Sequence, residues 1–220
     1  RYILGRLFYL NENIKENLKN YNFHKLYKEL LNFCSLELSS FYFDIRKDVL
    51  YCDDLSSKKR KDCIVVLNII LECLLKWLAP IFVFTTEEIF NLIDKNEKSI
   101  HETTFPEIPQ SWKNDTLSQK WIDLYEIKQE VNIAIEEKRS TKEIGSSLEA
   151  DILINVNEKE FQLLEGIDLE EYFITSRVKK EHNQTEGKIK IEVKKSIGSK
   201  CTLCWKILEK KCQRKYCGIN

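Results

Sequence analysis

No methionine occurs anywhere in these 220 residues, and residue 1 is arginine. A primary translation product begins with methionine, so the chain is expected to be part of a longer one, with function to be argued for a part. No apolar run reaches the roughly 20 residues of a membrane span. The nearest, Ile64 to Phe84, is broken by Asn68, Glu72, Lys76 and Pro80. The first ten residues, RYILGRLFYL, lack the form of a signal peptide, which points to the cytoplasm. Histidine is scarce, with His24, His101 and His182 far apart and in unlike contexts. There is no glycine-rich phosphate loop and no G-x-S-x-G, so no catalytic constellation is visible. Asp44 and Lys47 in SFYFDIRKD have the spacing of an ordinary helix-surface charge pair.

What is present is an ordinary soluble composition, 43% hydrophobic and 32% charged with formal net charge zero. The charge is uneven. From Lys179 to Asn220 there are twelve Lys/Arg against four Glu, a basic tail on an acidic body. That polarity suits contact with a polyanion, although a solvated charged surface explains it too.

The first half reads as amphipathic helices. One covers about Tyr2 to Leu18 and ends near Asn20. A second carries Phe23, Leu26, Tyr27, Leu30, Phe33, Cys34, Leu38, Phe41, Tyr42, Ile45 and Val49 at three-four spacing, which predicts a core-facing bundle helix. A third, with Ile64, Leu67, Leu71, Leu74, Leu75 and Leu78 on its inner face, stops before Pro80. Thr85 and Glu88 have capping-box spacing for a short fourth. A polar loop over 94–115 leads to a helix from about Asp115 to Arg139, facing inward through Trp121, Leu124, Val131 and Ile135. The period then changes to two at Ile152, Ile154 and Val156 and again at Ile189, Ile191 and Val193. YFITSRVKK is a third candidate strand, and a short helix is predicted near 157–164. The fold class is therefore mainly α: an antiparallel helical bundle, then a small α/β unit, then a cysteine tail. The expected divisions are 1–110, 111–140, 141–197 and 198–220.

Four of the eight cysteines fall in the last twenty residues. Cys201, Cys204, Cys212 and Cys217 form C-x2-C-x7-C-x4-C, in which the tight leading turn puts two thiolates on one side and two more complete the tetrahedral shell zinc prefers. A redox C-x-x-C and incidental thiols are the competing readings; the tail is too short for a thioredoxin-like setting. Four closed thiolates leave no position for substrate, so such a zinc is structural. Six Lys/Arg and one Glu lie between Gly198 and Asn220, and Trp205 and Tyr216 add flat apolar surface suited to phosphate contact and base stacking. Cys34 reads as a small buried hydrophobe, and Cys52, Cys63 and Cys73 as scattered.

The segments YNFHKLYKELLNFCSLELSSFYFDIRKDVLYCD, LAPIFVFTTEEIFNLI, KEIGSSLEADILI and KCTLCWKI, in this order, resemble the C-terminal region of the bacterial isoleucyl-tRNA synthetases, a class I family, from about residue 1 to 208. The first segments suit the valyl and leucyl enzymes as well; IGSSLEA and the terminal cysteine-tryptophan module favour the isoleucyl family. The resemblance implies an anticodon-binding bundle lacking its first helix or so over residues 1 to about 110, followed by a junction unit and zinc module against the anticodon stem-loop of isoleucine tRNA. It implies a parent ligase, monomeric, using ATP and Mg2+ in a catalytic domain that this chain lacks, with neither DNA nor membrane as partner. H-x-G-H is absent, and KRSTK at 138–142 only faintly echoes K-M-S-K-S. The family's module closes with a second C-x-x-C after a longer loop, so Cys212 and Cys217 depart from the pattern. The implied tRNA contacts are Arg46, Lys47, Lys200, Trp205, Lys206, Arg214 and Lys215. A protein-interaction module built from the same bundle and knuckle is the alternative.

Overall fold

The computed structural model describes residues 1–93, 99–182, 189–212 and 214. The chain forms two compact units, one from residues 1–42 and 58–118, the other from 43–57 and 119–220. The first is helical. In the second, helices accompany small sheets and a cysteine-bearing tail.

In the first unit, α1 (Tyr2–Lys19) buries Ile3, Leu7, Leu10 and Ile14, one stripe at helical spacing. Gly5 lets Trp112 approach: a Cβ there would lie 3.3 Å from the Trp112 carbonyl oxygen. The helix ends at Asn20, and Tyr21 takes the left-handed conformation that stops it. The next helix begins as α2 (Phe23–Asn32) and widens into a π-helical stretch, Phe33–Phe43. Leu26, Leu30, Phe33, Leu38, Phe41 and Tyr42 are buried as the periodicity predicts, whereas Phe23 and Tyr27 are exposed. The widened turns were not expected. Ser35 and Ser40 donate their hydroxyls to the Leu31 and Ser35 carbonyls, four and five residues back, where they compete with the regular ladder. Arg6 fixes this stretch to α1 by a two-pronged bond to Glu37, 2.6 and 2.7 Å.

Helix α4 (Lys58–Leu78) stops short of Pro80 as predicted, but its inner face agrees only in part. Leu75 is buried and Leu67, Leu74 and Leu78 half-buried, whereas Ile64 and Leu71 are exposed and the most buried line runs through Cys63, Ile70, Cys73 and Trp77. The helix is apolar over most of its circumference, so leucine positions alone do not single out a face. The bulk of Trp77 and its bond to Asn11 do. Helix α5 (Val83–Ile93) begins before Thr85, which overturns the predicted cap. Thr86 instead bonds back to the Phe82 carbonyl at 2.9 Å, and Glu87 accepts from Ser99 Oγ and the Ile100 amide.

In the second unit, α3 (Asp44–Cys52) accompanies most of α6 (Asp115–Ser140). Leu124, Val131 and Ile135 are buried on α6 as predicted, with Trp121 half-buried. A three-stranded sheet follows in the order β2-β1-β3. Strand β1 (Ala150–Val156) runs parallel to β2 (Arg177–His182) and antiparallel to β3 (Lys190–Lys195). Its alternation buries Ala150, Ile152, Ile154 and Val156. Between β1 and β2, α7 (Glu158–Leu163) starts on a reciprocal Asn157–Glu160 capping box. Helix α8 (Leu169–Tyr172) starts on Asp168. Tyr172 therefore ends a helix, and the strand foreseen in YFITSRVKK begins only at Arg177. Ile174, at φ 58°, makes the left-handed turn between them.

Lys128 is 7% exposed on α6. Its Nζ donates to the Tyr172 carbonyl at 2.8 Å and lies 5.0 Å from that ring's centre. Burial lowers its pKa from 10.5 to about 8, against the opposing pull of Asp44. The folded state thus releases this proton before the unfolded chain does. Stability from this group is at its lowest below pH 8 and rises as the pH climbs towards 10.5. The wild-type urea midpoint is expected to rise relative to that of Lys128→Met over this window. Parallel pH profiles for the two proteins would show that the lysine titrates normally.

Candidate metal centre and nucleic-acid interface

The tail forms a two-stranded hairpin, β4 (Ser199–Lys200) with β5 (Ile207–Leu208), which holds the C-x-x-C turn at its end. Gly198 makes the close approach possible: at φ 142° a Cβ would sit 2.4 Å from the Leu208 carbonyl oxygen. Within the turn, the Cys201 amide donates to the Lys206 carbonyl at 2.9 Å and the Trp205 amide to the Cys201 carbonyl at 3.0 Å. Trp205 takes a left-handed φ of 62°, and its side chain is 60% exposed.

The sulfur atoms of Cys201, Cys204 and Cys212 all lie within 4.8 Å of one another. Four thiolates bound at about 2.3 Å in a tetrahedron stand about 3.8 Å apart, so small side-chain rotations close this group around one ion. The all-thiol donor set fits a soft or borderline divalent metal. Burial pushes the Cys204 thiol up, its sulfur accepts the Lys206 amide, and the neighbouring Cys201 and Cys212 raise it further. A metal taken up here must displace that proton, so binding weakens as pH falls. Cys217 lies outside the described residues.

The hairpin is fastened to the sheet. The Ile207 amide donates to Ser176 Oγ at 2.7 Å, and that hydroxyl donates to the Leu148 carbonyl in IGSSLEA. Arg177 joins Asp151 on β1 at 2.8 Å to Glu209 beyond β5 at 2.5 Å. In the IGSSLEA turn, the Gly145 amide donates to the Glu149 carboxylate and holds it below the usual range, helped by Lys200.

Most of the basic residues singled out in the sequence are engaged within this unit. Arg46 pairs with Glu171 on α8 at 2.8 Å. Lys206, 9% exposed, approaches Glu170 at 3.9 Å. Arg214 lies between Asp48 at 3.9 Å and Asp53 at 3.7 Å. Lys47 pairs with Asp44 at 2.7 Å and Lys200 with Glu149 at 3.5 Å, both on the exposed surface. Lys200, Trp205, Lys206 and Arg214 are thus gathered around the cysteines, with Lys200 and Trp205 facing outward; Lys215 lies outside the described residues. Sequence reasoning missed Cys52, which is 2% exposed and packs in one cluster with Cys204, Cys201 and Cys212. Nothing in the local spacing connects a helix-end cysteine to a distant tail.

Residues 1–154 match the anticodon-binding domain of tRNA ligases, and the chain belongs to that family. Over 214 residues it is 54% identical to the isoleucine–tRNA ligase of Pelagibacter ubique, covering 97% of the chain and 24% of that protein. It is 38% identical to the isoleucine–tRNA ligase of Agrobacterium fabrum over 93% of the chain and 22% of the relative. The ligase of Mesorhizobium japonicum is 40% identical over 84% and 19% respectively. The chain thus spans less than a quarter of the length of these relatives. Among the described residues, no helix is long and apolar enough to cross a membrane.

Proposed function

We propose that this chain is the part of a cytoplasmic isoleucine–tRNA ligase that grips the anticodon stem-loop of isoleucine tRNA. The observation that carries the reading is the match of residues 1–154 to anticodon-binding domains. In this reading residues 1–110 are the anticodon-binding bundle, 111–140 the connecting helix and 141–197 the junction unit. Residues 198–220 form a module around one structural zinc held by Cys201, Cys204, Cys212 and Cys217. Aminoacylation with ATP and Mg2+ belongs to the rest of the ligase.

Trp205 offers a flat face to an unstacked base, while Lys47 and Lys200 are the exposed cations placed to meet phosphates. Arg46, Lys206 and Arg214 serve instead by fixing α3, α8 and the tail. A titration with isoleucine tRNA at two salt concentrations, against an anticodon-swapped variant and an unrelated tRNA, tests the proposal. Native tRNA is expected to win, with log K falling by roughly 0.7 to 0.9 per neutralised phosphate per decade of salt. Equal weak binding to all three would remove anticodon recognition from this part of the ligase. A second reading, a protein-docking module, is favoured by one feature: Phe84 is 89% exposed and Leu92 77% exposed on α5. Absence of RNA binding even at low salt would move the weight there.

A further inference from the structure

Cys52 is the last residue of α3, and it packs against Cys204, with Cys201 and Cys212 completing the cluster. Its sulfur is not one of the three that lie mutually within 4.8 Å, so it stands beside the ligand group and not within it. Two further residues at the same end of α3 face the module. Asp48 and Asp53 hold the guanidinium of Arg214, which carries one positive charge into the neighbourhood of Cys204 and Cys52.

A centre of four thiolates around a divalent ion carries a formal charge of minus two, and at a buried sulfur that charge must be met by donors from outside the ligand set. The Cys204 sulfur has one such donor in the Lys206 amide. Cys52 packs in the same cluster as Cys204, and its S–H is a weak donor on a side chain small enough for close contact. An alanine there would fill part of the space and a valine all of it, and neither would offer a hydrogen.

We propose that Cys52 is a positioning residue of the metal centre: its thiol donates to the metal-bound Cys204 sulfur and thereby ties the centre to the end of α3. The proposal rests on the reading that the tail cysteines hold a metal. It gives α3 a second role beside that of carrying Arg46 and Lys47, because metal uptake and the placing of that helix end become one event.

The test uses the full chain and two ions. Zinc affinity is measured by competition with a chromophoric chelator, and Co2+ loading is followed by its thiolate charge-transfer absorption, which reports the number of coordinated sulfurs. Cys52→Val keeps the bulk and removes the donor, and is expected to weaken zinc binding about 10-fold, the low end for loss of an outer-layer partner. Cys52→Ser keeps a donor and is expected to recover most of that loss. The Co2+ absorption per bound ion is expected to be the same in all three proteins. Valine binding zinc as tightly as cysteine would overturn the proposal in favour of simple packing. A fall in the Co2+ absorption by one sulfur's share would overturn it by making Cys52 a ligand. If the unaltered chain takes up no metal, the metal reading fails before the variants are compared.

Discussion

Cys201→Ser is expected to weaken zinc binding by roughly 100- to 1,000-fold and to loosen the tail while leaving the helical signal of the chain nearly unchanged. The magnitude follows from the energy of structural zinc sites, about 10–16 kcal/mol shared over four ligands, so that one thiolate is worth about 2.5–4 kcal/mol. The selectivity follows from the fold. Cys201 sits in a short hairpin with two-residue strands, which has little apolar surface of its own to bury. The α helices draw their stability from Leu7, Ile14, Leu26, Leu124 and Val131, all fully buried and on other elements. Circular dichroism and zinc release measured together check the prediction. Collapse of the helical signal along with zinc release would mean that the module is integral to the core of the chain.

The helices and strands whose side chains alternate between core and water were legible from the sequence. The extent of α1, the inner face of α6 and the period of β1 all emerge in the structure because they are dictated by one element's own geometry. The misplaced features have a common cause: each depends on a second element. The face of α4 follows the fit of Trp77 more than its leucines, of which Leu75 is buried but Leu71 is exposed. The start of α5 is set upstream of Thr85, and Glu87 is drawn to Ser99 and Ile100 in the following turn. The π-helical turns are the exception, arising within one helix where serine hydroxyls compete for carbonyls that the periodicity assigns to the ladder. At the site, C-x-x-C was visible because its chemistry is local. The ion pairs of Arg46, Lys206 and Arg214 were not, because their carboxylate partners come from elements distant in the chain. A count of cations in the tail therefore overstates how much positive charge faces outward: Glu170 answers Lys206, and Asp48 and Asp53 answer Arg214, from within.

Trp77→Ala is expected to be the most disruptive single change in the first unit. The side chain is fully buried, and its Nε1 donates to Asn11 Oδ1 at 3.1 Å, with Asn11 itself 2% exposed. Removing a buried tryptophan costs about 3–5 kcal/mol through lost transfer energy and the cavity left behind. The stranded Asn11 oxygen adds about 1–3 kcal/mol, because it loses its partner without regaining water. Against a total stability of roughly 5–15 kcal/mol, the sum is enough to unfold much of the population. The two contributions separate in a double-mutant cycle using Trp77→Phe and Asn11→Leu, read from urea midpoints. Phenylalanine retains most of the apolar bulk but leaves Asn11 unanswered, and leucine in turn leaves the indole N–H unanswered. Each single change is therefore expected to cost more than its volume explains, while the double variant, with both polar partners gone, recovers about 1–2 kcal/mol of the summed loss. Strict additivity of the two changes would show that the Trp77–Asn11 bond contributes nothing beyond packing, and the choice of this face of α4 would then rest on the bulk of the indole alone.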